Sequence, residues 1–256
     1  MSDSSTAGGD ASAVAISIGA VVKRSFAIFF ANLVPFGILA LILHLPGLLY
    51  NLATIDEAMG GLEPTFSTGQ IIVSLLSLVL GYLLIGALVY GTVAQLRGQP
   101  AGMGLIISKG LSMVLPVIVI AIAVSIITAI GFVLFIVPGV FLVVVYAVVV
   151  PAYVVERPGI VGAFKRSWEL TKGNRWRVLG ILVIFVVILL VVGALVGGVA
   201  GVTIAFGGGF SLLALVNYVV GALSAAVMSV GAAVLYHDLR IAKEGVSTDQ
   251  IAAVFD

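Results

Sequence analysis

The chain has 256 residues, 62% hydrophobic and 9% charged, with a net charge of +1 and a mean hydropathy of +1.31. A soluble domain carries about 25% charged residues, so this composition excludes a water-soluble fold and makes lipid the solvent for most of the surface. With no cysteine, disulfides, thiol nucleophiles and thiolate-bound metals are excluded, and with two histidines neither a multi-histidine site nor a cofactor is expected.

Residues 1–12 are polar and mildly acidic, lack the basic start of a signal peptide, and read as a disordered cytoplasmic tail. A membrane domain follows over residues 13–243, and residues 244–256 form a cytoplasmic C-terminal tail. From Ala13 to Ala31, Ile18, Val22, Ser25, Phe26 and Phe29 recur at helical spacing with Lys23 and Arg24 elsewhere on the wheel, which predicts an amphipathic interfacial helix. The first span is Asn32 to about Ala53, with Pro46 expected to kink it near Ile42. A polar loop from Thr54 to Phe66 carries Asp56, Glu57 and Glu63 and no basic residue.

Ser67 or Thr68 caps the second span, which ends near Leu96; Gly81, Gly86 and Gly91 mark places where another backbone can approach. Met103 to Ser112 reads as a second interfacial helix and Met113 to Phe135 as the third span. Ile136 to Gly139 predicts a tight turn, and Val140 to Val155 a short fourth span. Pro158 and Gly159 open a third amphipathic segment, with Ile160, Val161, Phe164 and Trp168 on one side and Lys165, Glu169 and Lys172 on the other. Glu169 is spaced to pair with either lysine, and Gly173 is placed to end the helix. The fifth span is Val178 to about Gly197, a glycine-rich apolar stretch follows to Phe210, and Ser211 to Leu239 is the sixth.

The fold class is therefore all-α: a polytopic transmembrane bundle of six spans with amphipathic interfacial helices. In this arrangement all twelve Lys and Arg residues fall on one side, so the positive-inside rule puts both termini in the cytoplasm. Lys23-Arg-Ser-Phe26 and Lys165-Arg-Ser-Trp168 match, each followed by an asparagine (Asn32, Asn174) and an apolar run. This suggests a repeated unit of amphipathic helix plus transmembrane hairpin, with Ser108 to Pro116 as a degenerate middle copy.

Lys165, Arg166, Lys172, Arg175 and Arg177 form a basic cluster suited to anionic headgroups on the cytoplasmic side, with Trp168 and Trp176 as interfacial anchors. His44 and Asn217 are polar groups inside spans, for which hydrogen-bonded packing is the plainer role. Glu156, Asp238 and Arg240 are candidates for interfacial ion pairs, with Arg177 at similar depth. Gly193, Gly197 and Gly201 suit close helix packing, inside the bundle or in a dimer, with the bundle the plainer use. No nucleophile, metal cluster or phosphate-binding glycine loop accompanies these residues, so no reaction is expected. The leading expectation is a non-enzymatic membrane protein that organises or senses lipid, or a subunit held by a protein partner or by its own copies. A transporter or channel for a small or lipidic substrate is the alternative. No nucleic-acid partner is expected.

Val150 to Glu156, Ala163 to Gly173, Trp176 to Gly180 and Leu235 to Gly245 together resemble the membrane domain of bacterial glycerophosphodiester phosphodiesterases. They are also similar to YciC-type inner membrane proteins. His237 stands where the resemblance leads one to expect a second tyrosine. The resemblance implies a bacterial inner membrane location and a multi-span fold. The enzymes' soluble barrel with metal-binding carboxylates has no counterpart in these residues, so the resemblance does not carry the activity over.

Overall fold

The computed structural model describes residues 15–54, 67–205 and 209–245. The expected tail over residues 1–12, the acidic loop with Asp56, Glu57 and Glu63, and all but the first two residues of the C-terminal tail lie outside these. Among the described residues the chain is helical throughout, with no strand. Helix α1 (Ile18–Ala31) starts at Ser17, whose Oγ accepts from the Ala20 amide. Asn32 interrupts the helix, and α2 (Leu33–Ala53) follows. Helix α3 (Thr68–Leu96) is capped by Ser67, which accepts from the Gln70 amide at 3.1 Å. Then come α4 (Met103–Leu134), α5 (Ile136–Val145), α6 (Val149–Glu156), α7 (Ile160–Thr171), α8 (Arg175–Ala205) and α9 (Phe210–Glu244).

Six stretches are long and apolar enough to cross a membrane: Leu33–Ala53, Thr68–Leu96, Met103–Leu134, Ile136–Glu156, Arg175–Thr203 and Phe210–Glu244. The protein is a multi-pass helical membrane protein. At its centre α9 packs along α2 and α3 and takes α1 on its flank, while α3 also carries α4. Buried Ala222, Ala226, Val230, Ala233 and Val234 of α9 join Leu84, Leu88 and Val89 of α3 and Phe36, Leu39 and Ala40 of α2 in one core.

Several expected boundaries shift. Met103 to Ser112 is not a separate interfacial helix; α4 is continuous from Met103 to Leu134. At 1.5 Å per residue it is roughly 48 Å long against a hydrocarbon core of about 30 Å, so it has the length to cross and still carry Lys109 outside the apolar layer. Gly110 lets its first turns lie close against α3. A Cβ there would lie 2.8 Å from the Ala87 Cβ and 3.0 Å from the Leu83 carbonyl oxygen, so α3 and α4 meet backbone to backbone. The merger also leaves the middle copy of the repeat without an amphipathic helix of its own, whereas Asn32 and Asn174 do mark the corner between amphipathic helix and span in the other two.

The turn expected at Ile136 to Gly139 is also displaced. The chain reverses at Phe135 alone, in extended conformation, and Ile136 already opens α5. Pro138 sits in the first turn of that helix, where a missing N–H removes no helical bond. The fourth span is broken at Tyr146 to Val148, because Pro151 has no N–H to give the Ala147 carbonyl. Helix α2 runs on through Pro46.

The expected face of α1 is the one turned inward: Ser25 and Phe29 are buried and Ile18, Val22 and Phe26 pack against the core, joined by buried Val21 and Ile28, while Lys23 and Arg24 are exposed. The face of α7 is rotated from expectation. In α7 the buried side is Ala163, Ser167, Leu170 and Thr171, while Val161 and Trp168 are exposed. Small polar residues make that contact because they bond as they pack: Ser167 donates to the Val145 carbonyl at 2.7 Å and Thr171 to the Ser167 carbonyl at 2.9 Å. Gly173, at φ +89°, ends α7 as predicted. Gly86 and Gly91 do meet neighbours, Gly110 and Ile106, but Gly81 meets none. Gly193, Gly197 and Gly201 face open space instead of packing inside the bundle.

Candidate functional site

Side chains from four helices tie together one end of the bundle. Glu156, the last residue of α6, accepts from the Tyr236 hydroxyl of α9 at 2.6 Å and from Arg166 Nε of α7 at 2.8–2.9 Å. Arg166 also pairs with Glu244, and Glu244 takes Arg240 Nε at 2.7 Å, one turn back on α9. Burial disfavours the Arg166 charge, but the bonds to Glu244 and Glu156 outweigh it and hold the guanidinium above its ordinary range. Beside this chain Arg24 of α1 meets Asp238 at 2.5 Å, and His237 Nδ1 lies 3.4 Å from the same carboxylate.

Glu156, Asp238 and Arg240 thus all sit in ion pairs, with Arg166, Arg24 and Glu244 as their partners, and Arg177 is in none among the described residues. Arg177 donates to the Ile16 carbonyl at 3.0 Å, pinning the chain just before α1. Arg24, Tyr236 and Glu244 were not singled out in the sequence; the stripe Tyr236, Arg240, Glu244 at steps of four was the available signal.

Three arginines and three acids are consumed in this knot, which leaves Glu169 as the one other acid among the described residues. Glu169 is exposed and forms no ion pair with Lys165 or Lys172, contrary to expectation. Lys165, Trp168 and Lys172 share the outer side of α7, and Trp176, 85% exposed, follows at the start of α8. The headgroup candidates are therefore divided. Arg166 and Arg177 are engaged in holding the fold, while Lys165, Lys172, Trp168 and Trp176 face outward.

Arg175 belongs to neither group. Its guanidinium carbon lies 4.8 Å from the Phe141 ring centre and 4.6 Å from that of Trp168. Its Nε is buried without a hydrogen-bond partner, and no carboxylate among the described residues pairs with it. It stands at the edge of a groove of about 550 Å³ between α5 and α8 that is otherwise lined by apolar side chains and Trp176.

Two further cavities flank the central helices. One, of about 770 Å³, opens at the basic end between Arg97, Gln99, Tyr236, His237 and Arg240. The other, of about 620 Å³, lies toward the opposite end and brings together His44, Asn51, Ser77, Asn217 and Tyr218. His44 Nδ1 is 2.8 Å from the Ala40 carbonyl and Asn217 donates to the Leu213 carbonyl at 3.1 Å, each on its own helix. Tyr218 donates across to the Leu41 carbonyl. The cavities touch α9 at Ala222 and at Tyr236, roughly 21 Å apart at 1.5 Å per residue. Ala226, Val230 and Ala233 fill that interval and are fully buried against the core.

A model of a family described as a domain of unknown function, DUF7847, matches residues 62–239, more than half of the chain. The chain belongs to the DUF7847 family. No curated protein and no solved structure matches it. The DUF7847 region runs from before α3 to Leu239, so it contains Glu156, Arg166, Arg175 and Asp238 but stops short of Arg240 and Glu244. Among the described residues no group of three His, Asp or Glu side chains is placed to hold a metal ion.

Proposed function

We propose that this DUF7847 protein is a non-enzymatic membrane protein that gathers anionic lipid around its basic end. The supporting observation is the outward side of α7 and the start of α8, where Lys165, Lys172, Trp168 and Trp176 are exposed and Glu169 is the one acid. Each basic residue near an anionic surface contributes about 1 kcal/mol, and tryptophan prefers the headgroup level. The basic end is the cytoplasmic one on this reading, which puts both termini inside, in the inner membrane that the resemblance implies. A protein partner or a second copy would cover part of the remaining lipid-facing surface. The test is lipid analysis of the protein extracted with its surrounding bilayer in polymer discs. Anionic lipid should exceed its share of the bulk membrane, and Lys165→Ala with Lys172→Ala should reduce the excess. A disc composition equal to bulk would end the proposal.

A transport reading draws on a separate observation, the two polar cavities at opposite halves of α3 and α9. The packed layer at Ala226 and Val230 closes the route between them. Flux into vesicles that falls on His44→Ala and Asn217→Ala would favour transport over the lipid reading; absence of flux would remove it.

A further inference from the structure

We infer that the groove between α5 and the start of α8 is the seat of one anionic phospholipid, its phosphate on Arg175 and an acyl chain along the groove. This rests on the lipid reading above and narrows it to one place. Three observations converge. Arg175 is the one groove-lining residue with a charge, it has no carboxylate partner among the described residues, and its Nε lacks an acceptor. Buried donors normally have acceptors, and a guanidinium is matched geometrically by phosphate oxygens.

The rings of Phe141 and Trp168 hold the guanidinium at the groove's edge. That ordering is in place before any ligand arrives, so little freedom is lost on binding. The amino end of α8 lies at the same point and adds its positive dipole. Beyond the charge, Val137, Val140, Val144 and Leu179 offer an apolar wall. A free anion would leave that wall uncovered, and a zwitterionic lipid would bring its own cation up beside the unpaired guanidinium, so an anionic amphiphile is the occupant that satisfies both.

The volume, about 550 Å³, lies within the roughly 300–1,000 Å³ of ordinary ligand pockets. The cavity at the basic end holds the carboxylate of Glu244 beside its arginines, and the one opposite is lined by no lysine or arginine. A smaller cavity of about 340 Å³ also sets an arginine, Arg97, beside apolar side chains, but Arg97 is exposed and has no ring of the described residues stacked on it.

The experiment is native mass spectrometry of the full chain with dioleoyl phosphatidylglycerol, dioleoyl phosphatidylcholine and inorganic phosphate as separate probes. Wild type should retain one phosphatidylglycerol more tightly than any phosphatidylcholine, and excess inorganic phosphate should not displace it. Arg175→Gln should weaken that adduct about ten- to a hundredfold. Val140→Trp, which fills the groove and leaves the charge, should remove it. Lys165→Ala with Lys172→Ala should leave it and reduce only weaker adducts. If Arg175→Gln and Val140→Trp keep the adduct while the double lysine variant loses it, the groove is not the seat, although the lipid reading survives. Displacement by phosphate alone would also overturn the groove. If phosphatidylglycerol shows no preference over phosphatidylcholine, both fall. Wild type alone gives a second readout. Trp168 and Trp176 are the two tryptophans, so quenching of their fluorescence by chain-brominated phosphatidylglycerol should exceed that by the phosphatidylcholine equivalent. Equal quenching would overturn the site whatever the variants do.

Discussion

Replacing Glu156 with alanine removes the acceptor that Tyr236 and Arg166 share. The Tyr236 side chain is almost fully buried, so its hydroxyl is left without a partner where water does not reach easily. A buried hydroxyl so orphaned costs about 1–3 kcal/mol, and a hydrogen bond to a charged group contributes about 1.5–3 kcal/mol. Arg166 keeps Glu244 and its side chain is 22% exposed, so the lower part of the second range applies. The expected loss is about 3 kcal/mol in reversible denaturation in mixed micelles followed by circular dichroism. Glu156→Gln retains an oxygen for Tyr236 and loses only the charge, for about 1.5 kcal/mol. Tyr236→Phe removes one hydroxyl, for about 1 kcal/mol, and should lose most of that effect in the Glu156→Ala background. Were Glu156→Ala to fall within about 0.5 kcal/mol of wild type, the knot would not hold the bundle together, and the reasoning would be refuted.

Three other outcomes follow from the same geometry. Gly110→Leu places side-chain atoms where α3 and α4 touch and should destabilise the protein by about 1–3 kcal/mol, whereas Gly193→Leu, in open space, should stay within about 0.5 kcal/mol; the same denaturation measures both. Asp238→Asn should cost about 0.5–1 kcal/mol, and less at high salt, because Arg24 is 43% exposed; a salt-independent loss would contradict this. The chain has no cysteine, so Thr54→Cys and Lys243→Cys are unique thiols. In intact cells an impermeant maleimide should label the first and not the second, and the reverse pattern would invert the orientation.

Long apolar runs and one-sided basic residues are legible without coordinates, since both follow from the bilayer itself, and all six spans were readable. The interruption at Lys109 and Ser112 looked like a boundary because a charge so near an apolar run suggests an interface. It is not one, because α4 is long enough to carry that charge outside the core. The reversal at Phe135 was hidden because the obvious turn formers, Pro138 and Gly139, are tolerated inside the first turns of α5. At the site, the residue types were readable and the partners were not. Glu156 and Arg166 are ten residues apart across a turn, but Arg166 and Glu244 are separated by 78 and meet only after α7 folds back on α9. Nothing in the chain order joins Phe141 to Arg175, so a headgroup candidate and a groove could not be joined before the helices were placed. His44 and Asn217 were noted singly for the same reason.

The clamp between Arg24 and Asp238 joins residues 214 positions apart. At about 5–20 residues per second, translation delivers the second of them roughly 10–40 s after the first. Throughout that interval the side of α1 that ends up buried, with Val21, Ile28 and Phe29, has none of its final partners on α8 and α9. An amphipathic helix in that position waits on the membrane surface, its apolar side in the headgroup boundary. The earliest of the described helices is thus among the last to be locked, and closure of the bundle is a post-insertion event timed by the arrival of α9.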